Sequence, residues 1–324
     1  MPRGGDRPGL IVAGNASIDL LLGPVAPWPA VGTEALVERI AWRLGGALGN
    51  TALALHGLGV HAELVWDVGD DEAGQGLAAL LRAAFEPPRI QPAPTSVTVA
   101  LTHPSGERTF VSHLGHLAVS EPDALAAAIE AAAPGDLLLV GGTFLLPRWR
   151  PALPTLFARA RERGVRTALD TGWPTEGWTD AVRAETFATL AHVDLFLPNL
   201  DEVRGLLGDD DLAPDAALRA LAPRVAGRVV VKLGPDGAGY LDGGRFAMAP
   251  APPIEVADTV GAGDTFNAAI LAGLRDDLPW DAAVTAAVEV ASQAVASSPR
   301  RYPKWGSVRR AHPASPTAAG ARAG

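Results

Sequence analysis

The chain has no cysteine among its 324 residues. That absence excludes disulfides, thiolate metal sites and cysteine nucleophiles. It also has no apolar run approaching the roughly 18 residues that a membrane-spanning helix requires. The opening stretch MPRGGDRPGLIVAGNASID lacks the long apolar core of a signal peptide, because Asn15 and Asp19 interrupt it early. A cytoplasmic location is therefore expected. Positive charge is the minority sign: 27 Lys and Arg against 36 Asp and Glu give a formal net charge of −9. Such an acidic balance argues against a general role on nucleic acid or on a membrane surface. No internal repeat is visible, and no spacing of His, Asp and Glu suggests a tight metal cage. What remains is a chain long enough to bury a large core, as one big domain or one domain with a small appendage.

Most of the chain alternates between two periodicities. GLIVAGN, residues 9–15, reads as a short buried strand ending at Gly14. DLLLGP and TEALVERIAWRL read as two further strands, the second alternating apolar and polar residues. From Ala47 the period becomes helical, and Gly57 and Gly59 stop the helix. HAELVWDVG is a strand, EAGQGLAALLRAAF a helix, and SVTVALTHPSGERTFVSHLGH a hairpin turning at HPSGE. From EPDALAAAIEAAA onward, strands and helices alternate regularly up to PWDAAVTAAVEVASQAVAS. That rhythm predicts a doubly wound α/β fold, a mostly parallel sheet with helices on both faces. The segments at about 19–43 and 97–114 break the rhythm and are expected to form a small separate β-sheet, a lid beside the main body. Residues 299–324 are basic and rich in Pro, Ala and Gly, and read as a loose tail without packed residues.

Within this frame, DTVGAGDTFNAAI (258–270) carries the sharpest chemistry. Glycines let backbone N–H groups approach a ligand, and a helix N-terminus attracts negative charge. A carboxylate, Asp264, would repel an anion placed there. It makes sense if it takes a proton from a hydroxyl that then attacks a phosphate. The competing reading is a simple helix cap.

DTVGAGDTFNAAI, together with RLGGALGNTALALHGLG (43–59), resembles the paired signatures of the ribokinase-like (PfkB) sugar kinase family. VGDDEAGQGL (68–77), NLDEVRGLL (199–207) and VVVKLGPDGAG (229–239) are weaker echoes in the expected order. The resemblance spans about residues 9–298 and implies an ATP-dependent kinase with a small β-sheet lid. It implies Asp264 as the base, with Gly261, Ala262 and Gly263 holding phosphate oxygens during transfer. Asn15, Asp19, Gly45, Gly46 and Asn50 fall on the sugar side. A carboxylate at Asp19 can accept hydrogen bonds from two sugar hydroxyls, and the Asn50 amide can both donate and accept. A turn role for Asp19 and an N-cap role for Asn50 are the structural alternatives. Asn199, Lys232, Gly234 and Gly237 fall on the nucleotide side, and Glu202 is expected to order Mg2+ through water. Asn-x-x-Glu also describes a capping box. Some relatives use a potassium-type ion near the GAGD loop.

Three stretches depart from the family pattern and leave the acceptor open. His116 stands where many relatives carry a small residue. LDTGWPTEGW (169–178) lacks an Asp-Pro-Asn-x-Arg pattern, and SSPRRYP lacks the usual Gly-Ala segment near the adenine. Trp28, Trp42, His113 and His116 are candidates for a lid pocket, although aromatics in strands more often pack. A nucleoside kinase of the same family, and a ligand-binding homologue without turnover, are the rival readings. A homodimer joined through the lids is expected, because an exposed apolar sheet face is usually covered.

Overall fold

The computed structural model describes residues 8–82, 84–105 and 108–312. The chain opens with β1 (Leu10–Gly14) and leaves the main body through β2 (Ser17–Gly23) and β3 (Arg39–Gly45). Helix α1 (Ala47–Leu58) returns to it, followed by β4 (Glu63–Val65), β5 (Asp67–Gly69) and α2 (Glu72–Leu81). A short β6 (Arg89–Gln91) precedes the hairpin of β7 (Val97–Thr102) and β8 (Arg108–His113). Regular alternation then runs α3 (Asp123–Ala131), β9 (Leu137–Gly141), α4 (Leu153–Glu162), β10 (Arg166–Asp170) and α5 (Asp180–Leu190). It continues through β11 (Leu195–Phe196), α6 (Leu200–Leu207), α7 (Pro214–Leu221) and β12 (Arg228–Lys232). The hairpin of β13 (Ala238–Asp242) and β14 (Arg245–Ala249) leads to α8 (Ala262–Arg275), α9 (Trp280–Val295) and α10 (Trp305–Ala311).

The main sheet has eight strands in the order β14-β13-β12-β11-β10-β9-β1-β4. Its six strands from β12 to β4 are parallel, and β13 and β14 add an antiparallel edge. Central parallel strands are buried on both sides, which is why β1 and β9 read as unbroken apolar runs. Alternate residues feed opposite cores. Leu10 and Val12 join one cluster with α1, α8 and α9, while Ile11 and Ala13 join another with α3, α4, α6 and α7. The doubly wound expectation holds. The second sheet, in the order β3-β2-β7-β8, is the lid.

Three local expectations need correction. TEALVERIAWRL is strand only from Arg39, because β2 ends at Gly23, the partner of Arg39. Residues 33–38 alternate but have no neighbouring strand to bond, and alternation without a partner makes no sheet. HAELVWDVG splits at Trp66: β4 joins the main sheet, while β5 pairs with β6, a three-residue strand with no periodic signal. Finally, the region after Pro299 is not a loose tail as far as residue 312. Trp305 is buried and its Nε1 donates to Asp276 Oδ2 at 3.0 Å. Val308 is buried beside it, Tyr302 packs against α1 at Gly57, and His312 bonds Glu289. Apolar anchors at 302, 305 and 308 are too few to show a helical period among prolines and arginines. Residues 313–324 of the expected tail, and part of the HPSGE turn, lie outside the described residues.

Candidate active site

Open parallel sheets place ligands beyond the carboxyl ends of their strands. Here four of those ends carry polar residues, Asn15 after β1, Asp170 closing β10, Asn199 after β11 and Lys232 closing β12, and Gly142 follows β9. Helix α8 points its N-terminus at the same edge. Gly261 forms its N-cap in the left-handed region (φ 69°), and Asp264 lies in the first turn. A Cβ on Gly261 would sit 2.8 Å from Asn50 Cγ and 2.8 Å from Arg300 Nη1, so only glycine lets these two side chains reach the helix mouth.

Asp264 is the centre of this cluster. Burial raises its carboxyl to about pH 7, and the nearby charge of Asp170 adds to the rise. Lys232, Arg300 and a hydrogen bond from Asn50 pull the other way. A carboxylate tuned toward neutrality is what a general base working near pH 7 requires. Its helix-cap alternative fails on geometry: the cap position belongs to Gly261, and no side chain caps α8.

The sequence reading missed Asp170, which organises the floor. Its Oδ2 accepts Lys232 Nζ at 2.7 Å and Asn267 Nδ2 at 2.6 Å, and its Oδ1 accepts the Gly172 N–H at 3.2 Å. Burial opposes the Lys232 charge, yet Asp170 and Glu202 together keep its pKa above the usual lysine value. Asn199 and Glu202 do form a capping box: Asn199 Oδ1 accepts the Glu202 N–H at 2.8 Å, and Glu202 Oε2 accepts the Asn199 N–H at 2.9 Å. The box does not remove Glu202 from the site. Burial, and then Asp170, raise its carboxyl above the usual range.

On the lid side, Asp19 packs directly over Gly45. A Cβ at Gly45 would lie 2.0 Å from Asp19 Oδ1, so a side chain there would displace the acid. Burial raises the Asp19 pKa, against the hydrogen bond from Ser17 Oγ and the charge of Arg43. Asn15 is buried and supports the helix mouth: its Oδ1 accepts the Ala47 N–H at 3.0 Å and its carbonyl accepts the Leu48 N–H at 3.0 Å. It therefore underlies the Gly46 turn rather than presenting its side-chain oxygen to the cleft. Asn50 stays on α1 with Nδ2 donating to Gly46 O at 3.1 Å, in reach of both Gly261 and Asp264. Arg43, on β3, forms an ion pair with Asp258 and so ties the lid to the segment leading into α8.

A cavity of about 670 Å³ opens beside α8. Pro253, Ile254, Val256, Phe266 and Val288 give it apolar walls. Lys232, Gly234, Gly237, Ala262 and Gly263 also line it, whereas Asn199 and Gly261, expected on the same side, do not.

The aromatic candidates are placed elsewhere. His116 is fully buried, its Nδ1 accepts the Ser96 N–H at 3.0 Å, and burial lowers its pKa. It is a packing residue. Trp28 stacks on His103, beyond the ends of β2 and β7. Register places Trp42 in one row with Leu20, Val99 and Val111, and His113 with Val97, both on the sheet face opposite Asp19. Phe110, paired with Ala100 beside Leu21, is the lid aromatic on the Asp19 face. Nothing in its sequence context separates it from the other exposed strand aromatics.

Comparison with known proteins agrees with the fold. The chain is 29% identical over 303 residues to a protein called uncharacterized sugar kinase YegV from Escherichia coli, covering 89% of each. It is 32% identical over 307 residues to the bifunctional protein HldE of Pseudomonas fluorescens, and spans 58% of that longer protein. In three dimensions it is similar to Arabidopsis thaliana ribokinase complexed with ribose and ATP, with a TM-score of 0.76 at 21% identity. That similarity covers 96% of this chain and all of the other. It is also similar to Escherichia coli phosphofructokinase-2 in complex with potassium, with a TM-score of 0.74 at 21% identity over 94% of this chain and 98% of the other. At that identity the structural likeness speaks for the fold alone. A family model described as pfkB family carbohydrate kinase matches residues 9–304. With its match running from β1 to the threshold of α10, the chain belongs to the pfkB family of carbohydrate kinases.

Proposed function

We propose that the protein transfers the γ-phosphoryl group of ATP to a hydroxyl of a small sugar or sugar-derived acceptor. The observation that carries this reading is Asp264: an acid raised to about pH 7, in the first turn of a glycine-opened helix. Asp264 takes the proton of the acceptor hydroxyl. The acceptor oxygen then bonds to the γ-phosphorus as the bond from that phosphorus to the β–γ bridging oxygen breaks, and ADP leaves. The Gly261 and Gly263 amides hold phosphoryl oxygens as their charge shifts, whereas the Ala262 N–H donates to the Thr259 carbonyl at 3.2 Å. Asp19 and Asn50 bind the acceptor, with Gly45 and Gly46 leaving room for it, and the apolar cavity beside α8 takes the adenosine.

Among the described residues no group of three acidic or histidine side chains gathers to hold a metal unaided. Magnesium does not need such a cage, since it keeps waters and binds through one or two carboxylates plus substrate phosphates. Asp170 and Glu202 offer hard oxygens at the strand ends and fit that pattern. When bound, the ion would neutralise part of the phosphate charge. Potassium fits less well. The carboxylate nearest the GAGD loop, Asp258, is ion-paired to Arg43 and also lies in the field of Arg300, so the position is already rich in positive charge. No step is routed through it.

Of the lid aromatics, Trp42 does not share a face with Asp19 and Phe110 does, so the acceptor panel includes nucleosides. The lid face that carries Trp42, Ile40 and Val111 is apolar and exposed, and a second copy of the chain covering it is the proposed assembly. A coupled assay for ADP release over pentoses, hexoses, ketoses, keto-acids, sugar phosphates and nucleosides tests the reaction. Selective turnover of a sugar-class acceptor supports it; exclusive turnover of a nucleoside, or none in the whole panel, overturns it.

A further inference from the structure

Arg300 follows the end of α9 and precedes α10, in the stretch whose sequence reads as a loose tail. Two anchors fix its surroundings. Tyr302 packs on Gly57 of α1, and Trp305 is buried with its indole bonded to Asp276. Between them and α9, the guanidinium is brought to the mouth of α8. Its Nη1 lies 2.8 Å from where a Cβ on Gly261 would stand, next to the Asn50 amide. Its Nε and Nη2 are buried and have no hydrogen-bond partner among the described residues.

A buried guanidinium with idle donors is costly, and a missing anion is one explanation for such a group. The neighbouring cations are already committed: Arg43 to Asp258 and Lys232 to Asp170. The carboxylates in its field are Asp258 and Asp264, and its charge pulls the pKa of each downward. Neither hydrogen-bonds Nε or Nη2. An arginine fork matches the geometry of phosphate oxygens. We propose that Arg300 is a phosphate-binding residue of the helix mouth, its Nη1, the nitrogen that stands beside Gly261, contacting the phosphoryl group in transfer. The inference deepens the kinase reading above and rests on it for the identity of the anion. Physically, it offsets the repulsion that Asp264 exerts on that group, at the place where the Gly261 and Gly263 amides alone would have to do so.

The test compares Arg300→Met and Arg300→Lys with the wild type, in two readouts. Turnover with the best acceptor should fall at least about 100-fold in Arg300→Met, as for removal of a donor to a developing anion. The acceptor KM should stay within about threefold, and added guanidinium ion should restore part of the rate. Calorimetry with magnesium adenylyl imidodiphosphate and with magnesium ADP gives the second readout. Arg300→Met should weaken the triphosphate analogue about tenfold and ADP less than threefold, with Arg300→Lys in between. Equal weakening of both nucleotides, or turnover within threefold of wild type, would overturn the proposal. If the wild type phosphorylates nothing, the assigned reaction fails, while the triphosphate-to-diphosphate ratio still decides the role of Arg300. Melting curves of the three proteins separate a folding defect from a binding one.

Discussion

The two sheets of this protein treat charge in opposite ways. The carboxyl edge of the eight-stranded sheet gathers Asp170, Glu202, Lys232 and Asp264 in a buried cluster, with Arg300 closing it from the far side. The four-stranded lid presents one polar row, Arg43, Asp19, Thr98 and Ser112, and leaves its other face to Leu20, Trp42, Val99 and Val111. In the main sheet burial raises the Asp264 and Glu202 carboxyls, and the charge of Asp170, held nearby, adds to the rise. On the lid burial raises Asp19 against the opposing Ser17 and Arg43. On the proposed reading, the chemistry belongs to the main sheet, and selectivity and assembly to the lid.

The sharpest way to break this division is at Asp264. Asp264→Asn keeps the shape but cannot accept a proton, and the loss of turnover should reach about 10²–10⁴-fold, with nucleotide and acceptor binding retained. Kinetics within threefold of wild type would return the residue to a structural role. The same substitution should make the protein more stable at pH 8. A buried acid with a raised pKa favours the protonated fold, so its stability is lost as pH climbs from the ordinary carboxyl value of 3.8 to about 7. An amide does not carry that penalty, and an unchanged melting temperature at pH 8 would contradict the burial argument.

Next in size is the clamp that holds Arg300. Trp305→Ala removes a buried indole, a loss of about 3–5 kcal/mol by the record of such truncations. Thermal unfolding should shift downward clearly, whereas a chain still read as having a loose tail there would melt unchanged. On the lid, Asp19→Ala should raise the acceptor KM at least tenfold, as for loss of a charged hydrogen-bonding partner, and leave the ATP KM nearly alone. Equal effects on both would mean that the lid does not carry acceptor selectivity. The pH profile follows in magnitude: kcat/KM should rise about tenfold per pH unit below 7 and level off above, as the base ionises. A flat profile from pH 5.5 to 8 would place the base elsewhere. The smallest effect concerns assembly. Trp42→Glu should convert a dimer, measured by light scattering at micromolar concentration, into a 33.4 kDa monomer without lowering kcat more than severalfold. A wild type already monomeric removes the lid interface.

Much of the site was legible because its parts are local. Gly261 to Asp264 and Gly45 to Asn50 each sit in one turn of chain, where glycine spacing and a helix start carry the meaning. Asp170 was not, because an acid ending a strand looks the same whether it caps a turn or pairs with a lysine 62 residues on. Arg300 was hidden for the opposite reason: its surroundings are dominated by proline and arginine, and the contacts that anchor it, Gly57 and Asp276, lie far along the chain. The alternation of β and α periods determined a doubly wound sheet, since buried parallel strands need helices on both faces. The glycine-opened helix followed by an acid determined which chemistry the edge could host. Only the tertiary structure decided how that acid is tuned. Burial and the field of Asp170 raise it, Lys232 and Arg300 restrain it, and all three partners arrive from separate segments of the chain. Coulomb interactions depend on distance in space, and a sequence records distance only along the chain.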